Sequence, residues 1–354
     1  MKRHRDNPAP AGPQPAGLLL TCRTLAGLCL AVFLLAGCAT AGENRRETAR
    51  LYYNLGNAYS ELGKDSQAAE AYESAWRLDS SLFQAGYNLA RLHLASGRIP
   101  QGRQLLEELL RKDGENGILL QALAWSYALE KDYGRAESIY LRVLELQPRN
   151  PTALYNLSRI YKIRENWTAA ADLLDQLAEL TDRPSGVPDT GALLLEEARF
   201  RVLGDQNGQA LEILLYLKEK SPSQEASLLL GNLYNLQERY DEALAAYSDA
   251  AEKGSAEGSF YRGVLLLTIM EDREGGLKAL GNALDRGFRD SAAAIQLLET
   301  PDFLFVQDVN ALLTAREWDP YGEAGEGAPA GEVVPAERSP EPEVLPDSGI
   351  QPPD

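Results

Sequence analysis

Side chains able to do covalent or acid–base chemistry are scarce in this chain. Its 354 residues hold three cysteines, Cys22, Cys29 and Cys38, and two histidines, His4 and His93. A nucleophilic, redox or metal centre needs thiolates, imidazoles or carboxylates gathered at set spacings. No P-loop, dinucleotide fingerprint or H-E-x-x-H stretch is present. Carboxylate pairs such as Glu107-Glu108 and Glu196-Glu197 fall on helical stretches, where adjacent side chains point apart, so they are expected on the solvated surface. These residues predict no enzyme, no cofactor, no metal site and no small-molecule substrate. The alternative is a carboxylate-dependent hydrolase or transferase on a helical frame, which requires two or more acids buried around one pocket.

The cysteines share one context. Lys2, Arg3 and Arg5 open a segment that continues through a Pro-rich stretch into the apolar run TLAGLCLAVFLLAG and ends at Cys38. Residues 1–37 have the layout of a signal peptide. Arg23 and Thr21 interrupt the apolar stretch, leaving it shorter than the roughly 20 residues a membrane-spanning helix needs. The stretch Leu35-Ala36-Gly37-Cys38 resembles the lipobox of bacterial lipoproteins. That resemblance implies cleavage before Cys38 and a multiply acylated cysteine, which anchors stably where one chain does not. Ala39 in the next place implies the outer membrane. Cys22 and Cys29 then leave with the signal, so no disulfide or zinc site is expected.

The net charge is −17, and residues 1–37 carry +3 of it, so the remainder is at −20. A nucleic-acid partner is excluded on this ground, because phosphate binding needs a basic face.

The remaining information lies in a repeat of 34 residues. Tyr52, Leu55, Gly56 and Tyr59 follow i, i+3, i+4, i+7 and mark one helix face; after Gly63-Lys64-Asp65, Ala68, Tyr72 and Ala75 mark a second. The template recurs in register through Leu89, Ala90, His93, Gly102, Leu106 and Leu109. It continues through Leu120, Leu123, Ala124, Tyr127, Ala136, Tyr140 and Val143, and then Leu154, Leu157, Ser158, Tyr161, Ala170, Leu174 and Leu177. His93 occupies a packing place and is expected in the core. A Pro/Gly cluster after Asp182 breaks the register, a weaker fifth unit runs from Leu194 to Pro222, and Gly231, Tyr234, Ala243, Tyr247 and Ala250 restore it.

This pattern resembles the tetratricopeptide repeat family, whose unit is a 34-residue helix-turn-helix. A seventh, degenerate unit near Ala256–Gly287 resembles the related Sel1-like variety. The expected fold is all-α: a right-handed superhelix of about seven hairpins, with repeats one to four at 49–184, a loop at 185–190, repeats five to seven at 191–287 and capping helices at 288–318. Residues 38–48 are expected as a tether, and the acidic, Pro-rich stretch 319–354 as a disordered tail.

The resemblance also implies a concave face formed by places 2, 5, 9, 12 and 13 of each first helix. Place five holds Tyr53, Tyr87, Gln121 and Tyr155, and place six holds Asn54, Asn88 and Asn156. Place nine holds Asn57, Arg91, Trp125, Arg159 and Arg199, and Lys162 adds a cation at place twelve. Amides, rings and cations together suit an extended peptide, although the Tyr-Asn pairs have an equal use in packing the fold. The two-carboxylate clamp for chaperone C-termini is excluded by Tyr53, Ile118 and Ala122. The expectation is a lipid-anchored, periplasm-facing scaffold of the bacterial envelope that binds proteins or peptide segments of outer-membrane, pilus or peptidoglycan assembly. The acidic tail as the main docking element is a further alternative.

Overall fold

The structure is a computed structural model that describes residues 43–180 and 187–323, and every regular element among them is a helix. Cys38, the signal segment, part of the loop after repeat four and the acidic stretch from 324 on lie outside the described residues; residues 320–323, expected as disordered tail, are helical. The chain divides into two compact units, one ending at Leu119 and the other beginning at Leu120.

The first unit contains α1 (43–61), α2 (Asp65–Leu78), α3 (Phe83–Ala95), α4 (Ile99–Leu110) and the start of α5 (Gly117–Leu129). Helix α1 is formed by residue 43, so residues 43–48, expected as tether, are helical. The hairpin closes over Gly56, where an added Cβ would stand 2.6 Å from the Tyr72 ring, so only glycine lets that ring lie flat on α1. Ala68, Tyr72 and Leu89 form a buried cluster with Tyr53, Leu92 and Leu105 packed against it.

The second unit continues α5 with α6 (Tyr133–Leu146), α7 (Pro151–Ile163), α8 (Trp167–Ala178), α9 (Thr190–Leu203), α10 (Asn207–Lys220), α11 (Gln224–Leu236), α12 (Tyr240–Glu252), α13 (Ala256–Thr268) and α14 (Arg273–Asp285). Asp132, Asn150, Asn166, Asp189 and Ser223 each accept from the backbone N–H three residues on and so cap a helix start. Neighbouring hairpins share a core through Leu214, Leu230, Leu233 and Tyr247.

Each of the first six hairpins turns on one left-handed residue two places after its first helix, and the seventh on Glu271, three places after. In the first unit this is Gly63 and Gly97; in the second it is Lys131, Glu165, Asp205 and Glu238, with φ of 61°, 56°, 58° and 57°. Three short helices, α15 (Ser291–Leu298), α16 (Val306–Thr314) and α17 (Pro320–Glu323), follow the seventh hairpin. Leu297, Val309, Leu313 and Trp318 are buried against Phe260, Leu280 and Leu284, which closes that end of the unit as a cap. Phe260 and Phe288 stack at 4.1 Å in this closure.

Candidate protein-binding faces

Several residues expected on the concave face are instead core. Tyr87, Gln121, Trp125, Tyr155 and Asn156 are all buried. The physical reason is clearest at Asn156, whose Nδ2 donates to the Tyr140 hydroxyl at 2.9 Å. Tyr140 is fully buried, and without this partner its hydroxyl would be desolvated for nothing. In the first unit the Asn88 side chain stands near the Tyr72 hydroxyl and works against the rise in its pKa that burial brings. That hydroxyl donates to Asn57 Oδ1 at 2.7 Å. Tyr247 donates to Asn232 Oδ1 at 3.0 Å in the same way. The tyrosine of a second helix thus selects an amide, either at place nine of its own hairpin or at place six of the next. Tyr234, whose tripeptide matches the others but stands in a different phase, is buried in the packing stripe as expected.

The cations are also partly committed. Arg159 donates to Glu196 Oε1 at 2.7 Å, and Lys162 Nζ stands 3.4 Å from the same oxygen and 5.7 Å from the Phe200 ring centre. Arg91 is exposed and lies 6.0 Å from the Tyr87 ring centre; Arg199 is exposed. The pair Glu196-Glu197 is therefore not solvated surface. Glu196 binds two cations, and Glu197 is buried at 3% exposure.

Glu197 and Arg201 take the two packing places of the fifth hairpin that hold leucine and an aromatic ring or histidine in the first four. Arg201 donates to Glu197 Oε1 at 3.2 Å, to Asp172 Oδ1 at 2.7 Å and to Gln206 Oε1 at 2.9 Å, while Glu197 Oε2 has no partner. Burial and the Asp175 carboxylate push the Glu197 carboxyl up to about 7, against the pull of Arg201. Glu197, Asp172 and Asp175 thus gather around one arginine, and among the described residues no group of three or more His, Cys, Asp or Glu side chains could hold a metal ion. His93 is half-buried, its Nδ1 has no partner, and burial lowers its pKa.

Places five to thirteen of the first helices leave an exposed face in each unit. In the first unit it comprises Asn54 and Arg91, exposed, with half-buried Tyr53, Asn57 and Asn88 between them. In the second unit the final residues of four successive first helices are aliphatic and open to water: Leu129, Ile163, Leu203 and Leu236, the last at 59% exposure. Each stands four residues after Trp125, Arg159, Arg199 or Asn232, so on each helix the aliphatic place and the ring, cation or amide place are neighbours on one face. Sequence reasoning passed over this row, although its recurrence at place thirteen was visible. Such a face offers apolar contacts and the Arg199 guanidinium for a carboxylate, the needs of a peptide in extended form. No described helix is long and apolar enough to cross a membrane.

The chain belongs to the tetratricopeptide repeat family. Family models described as tetratricopeptide repeat match residues 49–81, 87–151, 127–186 and 202–266, together more than half of the sequence. The human protein O-mannosyl-transferase TMTC3 is 30% identical over 112 residues, which are 31% of this chain and only 12% of that protein. Among solved structures, a tetratricopeptide repeat protein from Parabacteroides merdae is similar at 17% identity, covering 71% of this chain and 98% of its own, with a TM-score of 0.45. YrrB, described as a TPR protein with an unusual peptide-binding site, is similar at 20% identity over 58% of this chain and 97% of its own, TM-score 0.42. PilF of Pseudomonas aeruginosa shares 19% identity over 76% of this chain and 99% of its own, TM-score 0.34. These similarities are of fold alone; the fold is that of a protein-interaction scaffold.

Proposed function

We propose that this protein is a lipid-anchored adaptor of the bacterial cell envelope, held at Cys38 on the periplasmic side of the outer membrane, that binds extended segments of partner proteins on its first-helix faces. The observation that carries the binding part is the row Leu129, Ile163, Leu203 and Leu236, exposed on successive hairpins beside Arg199. A surface of this kind costs solubility unless a partner covers it. The partner chemistry it supports is a peptide with regularly spaced apolar side chains and a carboxylate opposite Arg199. The lipobox-like Leu35-Ala36-Gly37-Cys38 supports the anchoring part, and an anchored adaptor is suited to recruiting outer-membrane, pilus or peptidoglycan assembly components.

A photo-crosslinking residue at 203 or 236, introduced into the full chain in native membranes, tests the face. A discrete partner band at these sites, absent at exposed Glu70 and lost in the Arg199→Glu, Ile163→Glu variant with helicity unchanged, is the expected result. Equal bands at position 70, or bands that survive the variant, move the binding surface elsewhere.

A further inference from the structure

The helix that opens the repeat stack carries a bare apolar stripe. Leu51, Leu55 and Leu62 are 64%, 43% and 67% exposed, and Tyr52 beside them is 39% exposed. Leu51 and Leu55, four apart, lie on one side of α1, and Leu62, one residue past its end with its N–H still on the Ala58 carbonyl, continues that line, while Ala49 and Gly56 are buried. Tyr52 and Leu55 occupy packing places. The residue equivalent to Leu55 in the next hairpin, Leu89, is 3% exposed because it lies in the cluster with Ala68 and Tyr72 of the hairpin before it. No hairpin precedes α1 among the described residues. The far end of the second unit is closed by α15, α16 and Trp318, whereas a terminal repeat with an apolar outer side calls for a cover of another kind.

We propose that the cover is the lipid bilayer: α1 lies against the phospholipid interface with Leu51, Leu55, Leu62 and Tyr52 inserted among the headgroups and upper acyl chains. This rests on the anchoring of Cys38 proposed above. Between that cysteine and the first described helical residue stand only residues 39–42, so α1 begins within about 17 Å of the lipidated sulfur. Leu51 is about 12 Å further along the helix. A surface held that close meets the bilayer before it meets any diffusing partner. Leucine and tyrosine are side chains that partition at such an interface. Charge agrees: residues 43–50 carry Arg45, Arg46 and Arg50 against Glu43 and Glu47, a net +1 in a chain of net −17. The repeats beyond them are acidic and stay in the water phase. The bilayer then also fixes the direction in which the first unit leaves the membrane, which a lipid at Cys38 does not do by itself.

The experiment places a polarity-sensitive label on single cysteines in the full chain, processed in cells and reconstituted in vesicles of brominated phosphatidylethanolamine and phosphatidylglycerol. Leu51→Cys, Leu55→Cys and Leu62→Cys are compared with Asn54→Cys and Glu70→Cys, all at exposed positions where the exchange leaves the core untouched. Quenching at 51, 55 and 62 at least about twofold above that at 54 and 70 is expected for a helix lying in the interface. Quenching equal at all five sites overturns the proposal, as does efficient 55-to-55 disulfide formation between copies, which would make a second chain the cover. Mass analysis of the N-terminal peptide from the same vesicles separates the two ideas. A lipidated peptide with unquenched labels removes only the interfacial helix, and an unlipidated one removes the anchor and the interfacial helix together.

Discussion

Asn156 donates its side-chain amide to the hydroxyl of Tyr140, sixteen residues earlier, in a site where both residues are fully buried. Asn156→Ala leaves that hydroxyl without a partner and is expected to cost about 1–3 kcal/mol. Asn88→Ala is expected to cost less, because the Tyr72 hydroxyl keeps Asn57. Urea midpoints of the two variants check the order. Equal losses would mean that the amides act by packing volume and not through the hydrogen bond.

The hairpin turns offer a stabilising change. Lys131, Glu165 and Glu238 hold a left-handed backbone that costs an L-residue about 1–2 kcal/mol and glycine almost nothing. Glu165→Gly and Glu238→Gly are each expected to raise stability by about 1 kcal/mol, less the entropy that glycine adds to the unfolded chain. Differential scanning calorimetry measures it; a lowered midpoint would show that the side chains contribute more than the strain costs.

The buried carboxyl of Glu197 should make stability depend on pH. Its folded value near 7 stands above the ordinary carboxylate range, so the folded state holds this proton when the unfolded chain has lost it. The resulting contribution is complete below about pH 4.3 and is lost as pH climbs to about 7. Glu197→Gln is expected to flatten the urea midpoint between about pH 4.5 and 7. Parallel profiles for the variant and the wild type would refute the assignment.

The same pair is open to replacement. Arg201→Met removes the cation that pulls the Glu197 pKa down, so the carboxyl stays protonated with its hydrogen bonds lost, at an expected cost of about 1–3 kcal/mol. The double change Glu197→Leu with Arg201→Tyr restores what the other hairpins carry and should be neutral or stabilising. A double variant as unstable as Arg201→Met would mean that Asp172 and Gln206 depend on the guanidinium as well.

For the anchor, Cys38→Ala is expected to stall processing or release the chain from sedimented membranes. Normal cleavage with full retention would remove lipidation.

Periodicity made most of the fold legible. Leu89, Ala90, Leu154, Leu157, Tyr140 and Tyr247 are buried where the 34-residue template puts them, since each packing place must meet its counterpart in the neighbouring hairpin. The faces were less legible, because a helix wheel assigns direction without saying how deep a neighbour covers it. Tyr155 and Trp125, expected on an open face, are buried. Arg159, expected to be open to a ligand, is bound by Glu196 on the next first helix. One signal was present and passed over: tyrosine at place twenty-four precedes asparagine sixteen residues on at Tyr72 and Tyr140, while leucine at that place, Leu106, precedes Ala122 at the same distance. Another was the fifth hairpin, which breaks both packing places at once with Glu197 and Arg201, opposite charges one helical turn apart.

The Arg201 guanidinium reaches from the fifth hairpin into the fourth, where Asp172 receives it. This contact turns an array of look-alike modules into a sequence with a fixed order. A hairpin carrying Glu197 and Arg201 has a satisfied neighbour only behind a helix that presents an acid at the Asp172 place. Duplication, deletion or exchange of hairpins across that joint would strand a buried charge, so the array can lengthen by recombination elsewhere but not there.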